Sequence, residues 1–212
     1  MVLFDMDGLL LDIERVCMQC CIELGREYGL PDMTDVFVRI IGLRGAESRT
    51  ILETALRGSV DHDTFVKRWD ALIDARLRTG VPLKAGAVEL LQHLDREGLR
   101  TAVATSTRTE TTRKHLKAAG LFGFFDVVIG GDQVSNGKPD PEIYHKAADA
   151  IGVRAKDCII FEDSDPGVLA AVQSGARVVQ IPDIKQPSPE TLALGHIIAP
   201  NLVAGARLVG LT

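Results

Sequence analysis

Two carboxylates spaced two residues apart, Asp5 and Asp7, close a short apolar run and are followed at once by Gly8. Val2-Leu3-Phe4 reads as a buried strand, with a turn directly after it. A carboxylate at the carboxyl end of a buried strand lies where open α/β sheets bind their ligands. Charge placed there has to be satisfied by something other than an apolar core, and a divalent metal ion is the obvious partner. By itself Asp-x-Asp-Gly is a short signal, because the same tetrapeptide occurs in turns and calcium loops.

Further polar groups recur at corresponding places. The apolar run 102–104 ends in Thr105-Ser106, the run 159–161 ends in Glu162-Asp163, and Gly137-Lys138-Pro139-Asp140-Pro141 between them is a turn leading into a helix. Taken singly, Thr105-Ser106 could cap a helix, Lys138 could be a solvated turn residue, and Glu162-Asp163-Ser164 could be a capping cluster. In a parallel sheet, however, all these ends lie along one edge. The fold would then gather several carboxylates, one or two hydroxyls and one ammonium into a single crevice. Carboxylates crowded together raise each other's proton affinity, and a hard cation relieves that repulsion. Oxygen ligands without histidine point to Mg²⁺ rather than zinc. Mg²⁺, a lysine and hydroxyl donors together meet the needs of a phosphoryl group.

The elements that must position these groups alternate. After the opening strand, residues 13–80 have a wholly helical pattern, with candidate helices at 14–28, 46–57 and 63–79. From Val81-Pro82 onward the rhythm changes. Ala87, Leu90, Leu91 and Leu94 mark one face of a helix that Gly98 ends, and strands follow at 102–104, 126–129, 159–161 and 178–179. Helices near 109–119, from Pro141 to before Gly152 and from Pro166 to Gly175 separate those strands. This alternation predicts an α/β fold, a Rossmann-like parallel sheet with helices on both faces. The helical block reads as an insertion over the sheet's carboxyl edge, dividing the chain into a core of 1–12 and 83–212 and a helical domain of 13–82. The three prolines between Pro182 and Pro189 predict an exposed loop.

With 212 residues, 46% hydrophobic and 25% charged, the chain can pack one α/β domain with a modest insertion. A net charge of −5 and the lack of a basic block argue against nucleic acid, though not against a small phosphorylated ligand. No apolar run approaches the ~20 residues of a membrane span. No export signal is read, so a cytoplasmic, monomeric protein is the expectation. Cys17, Cys20 and Cys21 follow helical spacing and read as a small apolar helix face, since no second pair completes a zinc site. Cys158 and Trp69 read as core.

Asp5-Met-Asp7-Gly8, Thr105 after an apolar strand, Lys138 in Gly-Lys-Pro-Asp-Pro, and Glu162-Asp163-Ser164 with Gly167 downstream resemble, in this order, the motifs of the haloacid dehalogenase superfamily. The helical insert resembles the cap of its β-phosphoglucomutase-like subgroup. The resemblance implies Asp5 as a nucleophile that forms an aspartyl-phosphate and Asp7 as general acid, then base. It implies Thr105, the Ser106 N–H and Lys138 around the phosphoryl group. Mg²⁺ would be held by Asp5, the backbone carbonyl of Asp7 and Asp163, with Glu162 as a direct or more distant ligand. It also implies Mg²⁺-dependent hydrolysis of a small phosphomonoester, a sugar phosphate or related metabolite. The phosphosugar mutases of the subgroup carry a histidine on the first cap helix, and Asp12–Cys17 has none, which favours a phosphatase over a mutase. A non-catalytic binding module is the remaining alternative, although the nucleophile and metal carboxylates are all retained. Glu14, Arg15 and Arg44 fall where the subgroup's specificity residues lie.

Overall fold

The computed structural model describes residues 1–41 and 46–212. In chain order, β1 (Val2–Phe4) precedes α1 (Ile13–Glu27), α2 (Thr34–Ile40), α3 (Ala46–Leu56) and α4 (His62–Leu77). Next come α5 (Ala87–Arg96), β2 (Thr101–Ala104), α6 (Thr109–Ala118), β3 (Val127–Ile129), α7 (Glu142–Ala150) and β4 (Ile159–Glu162). The chain finishes with α8 (Asp165–Gln173), β5 (Arg177–Gln180), α9 (Pro189–Leu192), β6 (Ile197–Ile198) and α10 (Leu202–Leu208). Two compact units divide it, Met1–Asp12 with Pro82–Thr212, and Ile13–Val81. No helix among the described residues is long and apolar enough to cross a membrane.

In the first unit six parallel strands pair in the order β3-β2-β1-β4-β5-β6. The inner strands are apolar on both faces, as a sheet covered on both sides requires. Leu3, Ala102 and Ile160 stand side by side in register and pack with Tyr144 and Ala147 of α7 and Val168 of α8. One residue on, Phe4, Val103 and Phe161 address the opposite face. There Phe4 stacks on Phe161 at 5.3 Å between ring centroids and meets Phe125 edge-on at 6.2 Å. Gly205 of α10 comes so close to this face that a Cβ would lie 2.8 Å from Val179 Cγ1 and 3.1 Å from Phe161 Cε1. The two chain segments that leave and re-enter the unit run side by side, Asp12 N donating to Pro82 O at 2.9 Å and Lys84 N to Leu10 O at 2.9 Å.

Among the described residues of the second unit, the regular elements are all helices. Its α1 packs against α4, and α2 against α3. Trp69 is a packing residue: its ring meets Phe37 and Phe65, and its Nε1 donates to the Cys17 carbonyl at 2.8 Å. Ion pairs Arg68–Glu27 and Arg76–Glu23 join α4 to α1 along their outer edges. Cys20 and Cys21 are buried, and burial pushes the Cys21 thiol up to about 12, as an apolar helix face entails.

Four elements, α2, α9, β6 and α10, go beyond the sequence pattern. The β-branched residues of α2 disfavour a helix, yet Thr34 N, in its first turn, donates to Asp32 Oδ1 at 3.0 Å and burial of Phe37 holds it in place. Strand β6 has two residues, too few for an alternation to register, and extends the sheet beyond β5 through pairing alone. Helix α10 is capped by Asn201, whose side chain accepts from Ala204 N at 2.9 Å, but Gly205 weakens its helical signature. The expected loop after Pro182 runs to Ser188, where the Ser188 side chain caps α9.

Gly205→Ala would drive a methyl into the Phe161–Val179 face. The expected result is a loss of about 1–3 kcal/mol, read as a lower urea midpoint, with the helical content of the folded protein unchanged.

Candidate active site

The strand order reverses between β1 and β4, and ligands of such sheets bind outside the carboxyl ends of the strands at that point. The four sequence motifs meet there. Phe4 pairs with Phe161, and Asp5 N donates to Phe161 O at 3.0 Å, so Asp5 and Glu162 emerge side by side. Lys138 reaches in from the β3–α7 loop. Its Nζ donates to Asp5 Oδ1 at 2.6 Å, to Glu162 Oε1 at 2.6 Å and to Ala104 O at 3.0 Å. An ammonium has three hydrogens, and all three are engaged. The Lys138 side chain is only 4% exposed.

The loop carrying Lys138 is braced from within. Glu142, in the first turn of α7, accepts from Ser135 N and Asn136 N, each at 2.8 Å, and Asp140 Oδ1 accepts from Glu142 N at 2.9 Å. Glu162 is fully buried and committed on both oxygens. Oε1 accepts from Lys138 and from the Tyr144 hydroxyl at 2.8 Å. Oε2 accepts from Asp163 N, Ser164 N and Ser164 Oγ at 2.8, 3.0 and 3.1 Å. Gly167 makes this possible, because a Cβ there would lie 1.7 Å from Glu162 Oε1. Ser164 also caps α8, its Oγ accepting from Gly167 N at 3.3 Å. Ser164 therefore caps α8, while Glu162 is bonded to the Lys138 ammonium. A direct metal bond from the Glu162 side chain does not fit these contacts, since its lone pairs are already taken.

On the other side of β1, Thr105 is buried and anchored by Thr105 N to Ile129 O at 3.1 Å. Its Oγ1 accepts from Thr107 N at 3.2 Å, which leaves its own hydrogen to donate elsewhere. The Thr107 hydroxyl donates to Asp7 Oδ2 at 2.6 Å. Gly131 lets this loop lie flat against the end of β3: Gly131 N donates to Thr107 O at 3.0 Å, and a Cβ there would lie 2.4 Å from Ser106 O. Asp163 N and O are both held, the latter by Gln180 Nε2 at 3.1 Å.

Electrostatics follow from burial. Desolvation lifts the Asp5 carboxyl to about 7 against the pull of Lys138, with Glu162 and Asp7 adding to the rise. Desolvation also raises Asp7, opposed by the Thr107 hydrogen bond. Burial alone would raise Glu162, but the charge of Lys138 and the surrounding hydrogen bonds outweigh it and hold the carboxyl low. Burial likewise works against the Lys138 charge, and Asp5 and Glu162 overcome it, so the ammonium persists.

One ammonium thus faces an excess of carboxylates. Among the described residues no three His, Cys, Asp or Glu side chains form a ready-made metal cage. Mg²⁺ characteristically uses one or two carboxylates and completes its shell with water and phosphate oxygens. The oxygen donors and the charge deficit at Asp5 fit such an ion. Glu14 and Arg15 lie on α1, Glu14 half-buried and Arg15 exposed, and Arg44 lies outside the described residues. Thr107 and Tyr144 escaped the motif reading. Tyr144 stands six places after Lys138 in the run Glu142-Ile143-Tyr144-His145-Lys146, and nothing in that spacing ties its hydroxyl to the motifs.

A carboxyl whose folded value lies near 7 against an ordinary 3.8 costs stability when it ionises. That cost grows from about pH 4 and is complete above about pH 7. In EDTA, the melting temperature of Asp5→Asn relative to the parent protein should therefore rise between about pH 5 and pH 8. A difference that stays flat across this range would refute the assignment.

The family profile of haloacid dehalogenase-like hydrolases matches residues 2–181. A phosphorylated carbohydrates phosphatase of Thermotoga maritima is 34% identical over 174 residues, 82% of this chain and 81% of that protein. Among solved structures, a haloacid dehalogenase family hydrolase of Deinococcus radiodurans R1 with bound phosphate and sodium is 26% identical and superposes with a TM-score of 0.83, covering 99% of this chain and 95% of that one. A Thermotoga maritima protein provisionally assigned as a β-phosphoglucomutase is 30% identical with a TM-score of 0.82, covering 99% and 97%. The switch-point carboxylates, the buried lysine and these likenesses agree: the chain belongs to the haloacid dehalogenase-like hydrolases and groups with their phosphoric monoester hydrolases.

Proposed function

We propose that the protein hydrolyses a small phosphomonoester, a sugar phosphate or related metabolite, in a Mg²⁺-dependent reaction through an aspartyl-phosphate on Asp5. The observation that carries this reading is the Lys138 ammonium shared between Asp5 and Glu162 at the sheet's switch point. Asp5, the backbone carbonyl of Asp7 and Asp163 would hold the metal. When bound, Mg²⁺ supplies the positive charge that lets an anionic carboxylate and a phosphate dianion approach.

The chain's own groups do the rest. Lys138 fixes the Asp5 carboxylate and partly offsets its negative charge, while Glu162 holds Lys138 instead of meeting the metal itself. The free hydrogen of the Thr105 hydroxyl and the Ser106 N–H would receive the transferred phosphoryl oxygens. Asp7, whose carboxyl is raised by desolvation, is suited to keep a proton for the leaving oxygen and then take one from water. In balance, the Asp5 oxygen–phosphorus bond forms as the ester P–O bond breaks, the leaving oxygen takes the Asp7 proton, and water later returns a proton to Asp7 as it cleaves the acyl phosphate. The family relation to a carbohydrate phosphatase supports a phosphorylated carbohydrate as substrate.

A panel of metabolite phosphates with and without Mg²⁺ tests this reading. Mg²⁺-dependent phosphate release is expected, with activity in Asp5→Asn reduced to background. Interconversion of β-glucose 1-phosphate and the 6-phosphate without phosphate release would make the protein a mutase, and no Mg²⁺-dependent turnover of any ester would leave a binding module. In Tyr144→Phe, Glu162 loses one donor while the ring over Lys138, 5.0 Å from Nζ, is kept. A fall in kcat of about tenfold with little change in KM is expected, because Glu162 then competes harder for Lys138.

A further inference from the structure

We infer that Thr107 is the positioning residue for Asp7, setting which of its carboxyl oxygens faces the leaving group. The inference rests on the phosphatase reading above and adds a residue that the motifs do not contain.

Thr107 Oγ1 donates to Asp7 Oδ2 at 2.6 Å, within the range of a charge-assisted hydroxyl–carboxylate bond. Thr107 itself is held at two backbone points, its N–H on Thr105 Oγ1 at 3.2 Å and its carbonyl accepting from Gly131 N at 3.0 Å. It is therefore anchored to the ends of both β2 and β3. Asp7 stands on a tight turn closed by Leu10 N and Leu11 N, both donating to Met6 O, and by Gly8 N donating to Leu11 O. A rigid donor meeting a rigid turn leaves the Asp7 side chain one orientation, with Oδ2 occupied and Oδ1 turned away from Thr107.

The chemical type of the partner matters as much as its place. A lysine or arginine would favour the anionic form of Asp7 and oppose its taking up a proton. A neutral hydroxyl both donates and accepts, so it can hold Asp7 before and after its proton has gone to the leaving oxygen. The contrast with Asp5, which is gripped by an ammonium, matches the two roles: one carboxylate must stay charged, the other must exchange a proton. The same hydroxyl of Thr105 that accepts the Thr107 N–H also lies in the phosphoryl-binding loop, so acid and phosphoryl site share one short segment.

The test is the dependence on leaving group. Phenyl phosphate expels a more basic oxygen than p-nitrophenyl phosphate and needs the acid more. For Thr107→Val, which keeps the shape and removes the hydroxyl, kcat/KM should fall about tenfold further on phenyl phosphate than on p-nitrophenyl phosphate. Thr107→Ser, which restores the hydroxyl, should return the ratio to that of the parent enzyme. The ratio does not depend on how much of a variant is folded. An equal fall on both esters, or none, in Thr107→Val would overturn the inference while leaving the phosphatase reading intact. If the parent enzyme hydrolyses neither of these esters nor any member of the metabolite panel, the phosphatase reading fails and takes this inference with it.

Discussion

The structure turns on a buried ammonium shared by two carboxylates. Moving Lys138 out of water is expensive, and only close opposite charges with complete hydrogen bonding repay it. Asp5, Glu162 and the Ala104 carbonyl supply all three acceptors. These come from β1, β4 and β2, which are neighbours in the sheet and distant in the chain. The ion cluster therefore can exist only when the sheet has formed in the correct register. A slip of one residue would turn Asp5 or Glu162 into the opposite face and leave a charge buried alone.

Close packing of backbone around that cluster is the second constraint. Gly131 against the Ser106 carbonyl and Gly167 against the Glu162 carboxylate occupy places where a methyl group has no room. Each lets a polar group approach the sheet edge more closely than a side chain would permit. The site is thus built by removing atoms at two positions as much as by adding charges at others.

Asp5 and Asp7 leave the same strand yet are held by different chemistry. Asp5 is buried and ion-paired, and its desolvation is incompletely offset by one lysine. Asp7 keeps some exposure to solvent and is held by a neutral hydroxyl. An ion-paired carboxylate and one with a proton-tolerant partner suit the nucleophile and the acid–base roles proposed for them.

Much of this was written in local pattern. Continuous apolar runs such as Val2–Phe4, helices ended by Gly98, Gly120, Gly152 and Gly175, and polar residues at each strand end sufficed for a parallel α/β sheet with its site on one edge, because periodicity and turn chemistry are short-range properties. Pairing was not legible, since Ile197–Ile198 becomes a strand only beside β5, and α2 becomes a helix only by burying Phe37. The contacts of some site residues were also out of reach. Whether Glu162 meets a metal or a lysine, and whether Tyr144 and Thr107 merely pack, depends on distances of a few ångströms between residues far apart in the chain. Residue types and order determine which charges must meet; the three-dimensional packing decides which oxygen receives which proton, because a hydrogen bond is set by geometry that no spacing along the chain records.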